Sequence, residues 1–444
     1  MIDHHRPMYH LLPPANWMND PNGLIQHNGV FHVFYQHNPY GALWGNMSWG
    51  HARSSDLVHW EHLPLAIVPD SDGPDADGCY SGVLVEHDGT PTMVYTGVRK
   101  PDELCCLAFP EDDELLSWRK FDGNPVISGT PDGVPVTIFR DHTLWREGDT
   151  WYMGVGSGIE KLGGAVLLYR SNDLKTWQYL HPLAIEQPEL NEAGKLVSTG
   201  WECPDFFFLD GDAVLLACEW DGDPISSSWW RGEMADYRFA ASSKGLVDAG
   251  DVLYAPQTFA AADGRRLLFG WLRELRSDQD QVAAGWSGVM SLPREVMLRE
   301  DNTLAFRPAA EVTQLRGERQ DHLIPGGAVS TSSACELRLT LPDMPAGEVR
   351  LTWADVLTVS TDGTALHLVT GDRHSVGTIT GDPLANFDLR VFIDHSVVEV
   401  YLSDRIVMST RVYTDLASWN VCELTLPNDM VASVSVWSIA SIWN

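Results

Sequence analysis

The chain is poor in positive charge: 30 Lys and Arg stand against 61 Asp and Glu, a formal net charge of -31 over 444 residues. That balance repels nucleic acid and the anionic face of a membrane, and leaves neutral molecules or cations as partners. Long apolar runs are also missing. No stretch of about 18 uninterrupted apolar residues occurs, and residues 1–14 hold no run of signal-peptide length, so a soluble cytoplasmic protein is expected. Cysteine is scarce and odd in number, at seven, and neither Cys105-Cys106 nor Cys203 belongs to a pair of CxxC units. Neither a disulfide framework nor a zinc knuckle is suggested. The sixteen histidines never form HExxH, and the Gly-rich stretch 154–164 lacks the GK[ST] of a phosphate loop. No metal and no cofactor is expected. The acidic runs 70–77 (DSDGPDAD) and 111–114 do not have the spacing of a calcium loop and read as solvated turns. Nothing in the composition specifies an oligomeric state.

What the chain does have is length for two cores and an abundance of short strand signals. The clearest are apolar alternations broken by two-residue turn dipeptides. Five such units recur, with turns at Asn28-Gly29, Asp88-Gly89, Gly148-Asp149, Asp210-Gly211 and Asp263-Gly264, spaced 60, 60, 62 and 53 residues apart. A period that regular implies five equivalent small sheets. The pattern SxDLxxW also occurs twice, as SSDLVHW at 54–60 and SNDLKTW at 171–177. Radial repetition limits exposed sheet edges, so the expected fold is all-β: a five-bladed β-propeller over residues 1–308, with a solenoid as the alternative. After Arg307-Pro308 the spacing is lost, and segments such as ELRLTL and VVEVYL alternate as in a β-sandwich, expected over 321–444. Residues 309–320 read as the linker, with a pattern also compatible with a short helix between the domains.

Three of the turns are preceded by an acid at nearly the same offset: Asp20 and Glu202 eight residues before, Asp141 seven. In a propeller the innermost strands line the central channel, so these carboxylates converge. Like charges held together repel and raise one another's pKa, an arrangement kept for catalysis or for a cation. The flanking residues, WMNDPNG around Asp20, FRD at Asp141 and WECPD around Glu202, supply aromatic and amide groups suited to a sugar. Glycoside hydrolysis needs one ionised and one protonated carboxyl, and a third acid can orient ring hydroxyls.

These segments resemble the β-fructosidases of glycoside hydrolase family 32, over essentially the whole chain: WMNDPNG, the RD pair, WECPD and GWSGVMSLPREV at 285–296, similar to the segment that closes that family's propeller. The resemblance implies a five-bladed propeller followed by a sandwich, and a retaining enzyme that releases terminal β-D-fructofuranosyl units from sucrose or short fructo-oligosaccharides. It implies Asp20 as nucleophile, Asp141 as stabiliser of the transition state and Glu202 as acid/base. Sugar contacts map onto Asn19, Gln36, Trp44, Tyr80, Ser81 and Arg140. The family's RDP appears here as Arg140-Asp141-His142, and an imidazole beside the acid could shift its pKa. Asp394, Ser396 and Glu399 resemble a recurring DxSxxExF segment and read as a structural turn. Exo-acting levan or inulin hydrolase, fructosyltransferase, an arabinan- or xylan-cleaving propeller, and a non-catalytic fructan-binding protein are the competing functions.

Overall fold

The computed structural model describes residues 3–192, 194–342, 345, 347–379, 386–427 and 430–443, so both ends of the stretch 1–444 lie outside the described residues. Residues 16–308 form five sheets. Their innermost strands are Asn16–His27, Gly78–His87, Val136–Glu147, Gly200–Leu209 and Leu253–Ala260. Each pairs antiparallel with the next strand in the chain. In the first four blades the flanking pairs, such as His27 with Val30 and His87 with Thr90, leave only the two turn residues between them. Asn28 and Gly29 both have positive φ, as do Asp88-Gly89 and Asp210-Gly211. That is the backbone whose twist matches a tight hairpin, and Asn, Asp and Gly tolerate it best. The fifth hairpin is wider, closing at Ala260 and Arg266. The five-bladed propeller followed by a sandwich is therefore the observed fold.

SxDLxxW is one turn used twice. Asp56 accepts from the amides of Val58 and His59, and Asp173 from those of Lys175 and Thr176. Leu57 and Leu174 follow with positive φ. Asp112 does the same for Glu114, Leu116 and Ser117, so an acidic run read as a solvated turn is a capped one. The other, 70–77, also departs from the reading: Asp75 is fully buried, accepts from Tyr95 Oη at 2.7 Å and pairs with Lys120 at 2.5 Å.

The ring closes through residues 286–290. Trp286 and Ser287 pair in parallel with Asn16 and Trp17 of the first blade, while Val289 and Met290 pair with Leu272 and Trp271 of the fifth. Between them Gly288 has φ +80°, and a Cβ there would collide with the Met18 carbonyl oxygen, so only glycine fits.

Two six-stranded sheets build the sandwich, one starting with Arg316–Ile324 and the other with Gly327–Ser330. Their facing residues, among them Leu337, Leu351, Trp353, Val391 and Val400, are fully buried in one cluster. The stretch 309–320 divides into a 3-10 helix, Ala310–Leu315, and the start of that first strand. Val312 and Leu315 are buried in a cluster that holds Phe269 of the propeller and Trp437 of the sandwich. Among the described residues no helix is long and apolar enough to cross a membrane.

A charged network lies buried across the domain contact. Asp394 accepts from the amides of Met8, Tyr9 and His10, and Glu399 from the amide of Leu292. His10 sits between Asp394 at 2.8 Å and Glu399 at 3.2 Å, and Arg294 bridges Glu399 at 2.7 Å and Asp248 at 2.9 Å. Burial alone would raise the Glu399 pKa, but Arg294, His10 and Tyr401 outweigh it and hold it at about 2. A carboxylate depressed in the folded state contributes stability that is complete above its unfolded pKa and lost as pH falls through the folded one. The expected window of loss is therefore from about pH 4.5 down to about 2. Glu399→Gln should leave buried cations short of a partner and cost roughly 3–5 kcal/mol in denaturant unfolding at neutral pH. A change below about 1 kcal/mol would show that the network carries little of the fold.

Candidate active site

Each innermost strand carries a bulge at the same height: between Met18 and Pro21, at Ser81, at Asp141, between Glu202 and Asp205, and between Tyr254 and Gln257. A bulge inserts an unpaired residue and re-aims side chains off the regular alternation. Asp141, Cys203 and Ala255 take positive φ there, at 60°, 47° and 49°. The five bulges form a ring around one end of the channel. They open into a cavity of about 600 Å³ whose wall includes all nine residues expected from the sequence: Asp20, Asp141, Glu202, Asn19, Gln36, Trp44, Tyr80, Ser81 and Arg140.

The three carboxylates are held differently. Asp20 accepts from Ser81 Oγ at 2.7 Å on one oxygen and from Asn19 Nδ2 at 3.0 Å on the other. Asn19 is itself fixed by the Trp17 indole N–H at 2.6 Å. Asp141 accepts from the Cys203 amide at 2.8 Å, and its own amide donates to Thr96 Oγ1. The Cys203 thiol lies 3.5 Å from Asp20 and 3.4 Å from Asp141, a weak donor shared by both acids. Burial and then the neighbouring acids push this thiol far above its ordinary pKa, so it stays protonated. Glu202 is clasped by Arg140, at 2.8 Å to one oxygen, and by Tyr254 Oη at 2.8 Å to the other.

Burial raises all three acids. For Asp20 the bonds from Ser81, Asn19 and Cys203 oppose it without cancelling it. Asp141 is pushed up to about 7 by burial and then by Glu202, with Arg140 opposing. For Glu202 burial leads, Arg140 and Tyr254 oppose it, and Asp20 adds to the rise. The cluster therefore holds a shared proton near neutral pH.

Arg140 was expected as a sugar contact. It lines the pocket, yet its guanidinium is spent on Glu202, on Glu103 of the second blade and on the face of Trp220 at 5.3 Å. Gln36 also does more than expected: it is buried and donates to the Cys79 carbonyl at 3.0 Å, tying the first blade to the second. Trp44 is 55% exposed and meets Tyr80 edge-on at 5.9 Å, as a wall residue does, while Trp49 and Trp201 are core. His142 is buried without a partner on either ring nitrogen and is held neutral, its pKa lowered to about 3 by burial. The leading influences on Asp141 are instead burial, Glu202, Arg140 and Asp20. Asp205, three residues beyond Glu202, accepts from the amide and hydroxyl of Thr258 at 2.7 and 2.5 Å and lines a separate cavity. One group among the described residues, Asp3, His4 and His5, gathers ligand atoms closely enough for a metal, but Asp3 is already paired with Arg276 at 2.9 Å.

Seven further residues complete the wall: Trp17, Trp220, Gly222, Asp223, Pro224, Tyr254 and Trp271. Tyr254 stands in the first half of the fifth innermost strand, as the acids do in theirs, whereas Trp220 ends the second strand of the fourth blade and Asp223 follows it, and neither carries an offset signal.

Fold and pocket together are those of a glycoside hydrolase. The models of the N-terminal domain and the C-terminal part of glycosyl hydrolases family 32 match residues 10–308 and 356–438. The chain is 35% identical over 456 residues to a sucrose-6-phosphate hydrolase of Escherichia coli, covering 92% of this chain and 89% of that one. A raffinose invertase of Escherichia coli is 34% identical over 458 residues, with the same coverage. The solved family 32 β-fructofuranosidase of Bombyx mori superposes with a TM-score of 0.85 at 29% identity, over 99% of this chain and 95% of that one, and a mutant of it has been solved in complex with sucrose. The chain belongs to glycoside hydrolase family 32. It is a β-fructofuranosidase, a hydrolase that releases fructofuranosyl units.

Proposed function

We propose that the chain removes terminal β-D-fructofuranosyl units from sucrose or short fructo-oligosaccharides by double displacement, with Asp20 as nucleophile, Asp141 as stabiliser and Glu202 as acid/base. The observation that carries this reading is that Asp20, Asp141 and Glu202 share one cavity, each raised in pKa by burial, so that a proton and an ionised carboxylate can stand side by side. Asp20 takes hydrogen bonds on both oxygens from neutral donors, which aim it and favour its ionised form. For Glu202 the Arg140 guanidinium and Tyr254 hydroxyl favour the ionised form, but burial and the charge of Asp20 favour the protonated one, and the balance leaves its pKa raised. In the first step Glu202 gives its proton to the glycosidic oxygen while Asp20 forms a bond to the anomeric carbon and the leaving sugar departs. In the second, Glu202 takes a proton from water, the water oxygen attacks the same carbon, and Asp20 is released. Asp141 accepts hydrogen bonds from fructose hydroxyls, and Asn19, Gln36, Trp44, Tyr80, Ser81 and Arg140 shape the pocket around the ring. The same reading makes 1–308 the catalytic domain, 321–444 its sandwich companion and the cytoplasm the site of action, with imported sugars as substrates.

A product profile on sucrose, 1-kestose, inulin and levan tests it. Single fructose units should appear from chain ends, fastest from the short sugars. Internal fragments, or transfer of fructose to sugars in place of water at ordinary concentrations, would replace the proposal with an endo-acting or transferring enzyme. Trp44 supplies a second check. Because it is an exposed wall residue, Trp44→Ala should lower kcat/KM for sucrose about tenfold while the melting temperature moves by no more than about 2 °C. A large drop in melting temperature would make it a core residue.

A further inference from the structure

We propose that the leaving-group side of the pocket selects by charge, accepting an uncharged sugar and rejecting a phosphorylated one, with Asp223 as the residue that sets this preference. The inference rests on Glu202 as the acid. A carboxyl that protonates the glycosidic oxygen has the departing sugar beside its own blade, and the wall continues there through Trp220 and the turn at Gly222, Asp223 and Pro224. Asp223 is exposed at that mouth.

The charge count of the wall is one-sided. Four carboxylates line it, Asp20, Asp141, Glu202 and Asp223, against one cation, Arg140. That cation is already divided between Glu202 and Glu103 and stacked on Trp220. Of the nearby cations, Lys244 pairs with Glu219 at 2.5 Å, and Arg273, which donates to the Asp251 carbonyl at 3.1 Å, already faces the charge of Asp223. The residues outside the described ones include no Lys, Arg or His side chain. A sugar phosphate brings about 1.5 to 2 negative charges at neutral pH. Seating it here places like charges together in a partly dry cavity and strips phosphate oxygens of water without a donor in return. An uncharged sugar meets aromatic faces and acceptors, which suit its C–H faces and hydroxyls.

The test measures kcat/KM for sucrose and for sucrose 6-phosphate, at one pH and ionic strength, on the wild type, Asp223→Asn and Asp223→Lys. The wild type should prefer sucrose by about tenfold or more, and Asp223→Lys should narrow the ratio at least about fivefold, with Asp223→Asn between them and the differences shrinking in high salt. Equal or better use of the phosphate by the wild type overturns the proposal, and a ratio unmoved in both variants removes Asp223 from it. Wild-type turnover of neither sugar would instead overturn the fructosidase reading and this one with it, whereas good turnover of sucrose with an inverted ratio strikes this inference alone.

Discussion

Asp20→Asn is expected to lower kcat on sucrose by roughly three orders of magnitude or more, about 4 kcal/mol of transition-state stabilisation, while leaving the fold intact. The size follows from the role proposed for it: without a carboxylate no fructosyl-enzyme forms, and the pocket retains only orientation and hydrogen bonding. The fold survives because the amide can replace the acid in its cradle. Asn19 donates to one oxygen of Asp20 and is locked in that orientation by Trp17, so the amide oxygen would face Asn19. The amide nitrogen would then face Ser81, whose hydroxyl can turn from donor to acceptor. Circular dichroism and melting temperature should match the wild type, and acid quench of the wild type during turnover should recover a fructosylated peptide containing residue 20. Retention of even a tenth of the activity would show that Asp20 is not the nucleophile.

Glu202→Ala should separate substrates by their leaving group. Sucrose has a poor one and needs the proton, so a loss of roughly three orders of magnitude is expected there. An aryl fructoside with an acidic phenol leaves unaided, and its first step should suffer far less. The pH profile gives a second readout. Burial raises Glu202 and Asp20, and in addition Asp20 raises Glu202, while Arg140 and Tyr254 act against the rise in Glu202. Activity requires the cluster to keep one proton and Asp20 to be ionised. kcat/KM should therefore fall at low pH as Asp20 gains a proton and at high pH as the cluster loses its last one, with an optimum from mildly acidic to neutral. The alkaline limb should disappear or move in the residual activity of Glu202→Gln. Equal losses on both sugars, or an unchanged alkaline limb, would take the acid role from Glu202. Asp205 could not inherit it, since its carboxylate is bonded to Thr258 and faces another cavity.

The acid offsets read from the sequence contained a hidden conflict. Counted back from its turn, Asp141 stands seven residues away and Asp20 and Glu202 eight, and strict alternation along a strand puts such positions on opposite faces. They share one cavity because the strands bulge there, with Asp141 itself the unpaired residue. The bulges are set by which residues of the next strand find partners, and no local signal announces that. Arg140 shows the same limit: its partner Glu103 belongs to another blade.

By itself the sequence determined what local chemistry and periodicity control. Two-residue turns with Asn, Asp and Gly dictate hairpins, their regular spacing dictates five blades, and the recurrence of acids before those turns dictates a carboxylate cluster at the channel mouth. The resemblance of WMNDPNG and WECPD then supplied the kind of reaction. Tertiary structure decided whatever depends on residues distant in the chain meeting in space. It placed Cys203 between Asp20 and Asp141, held Glu202 between Arg140 and Tyr254, left His142 neutral and away from the chemistry, and turned the segment with Asp394 and Glu399 into a buried charged lock on His10 and Arg294. The physical reason is that pairing partners, burial and the field at a carboxylate are set by the whole folded chain, while a turn is set by two residues.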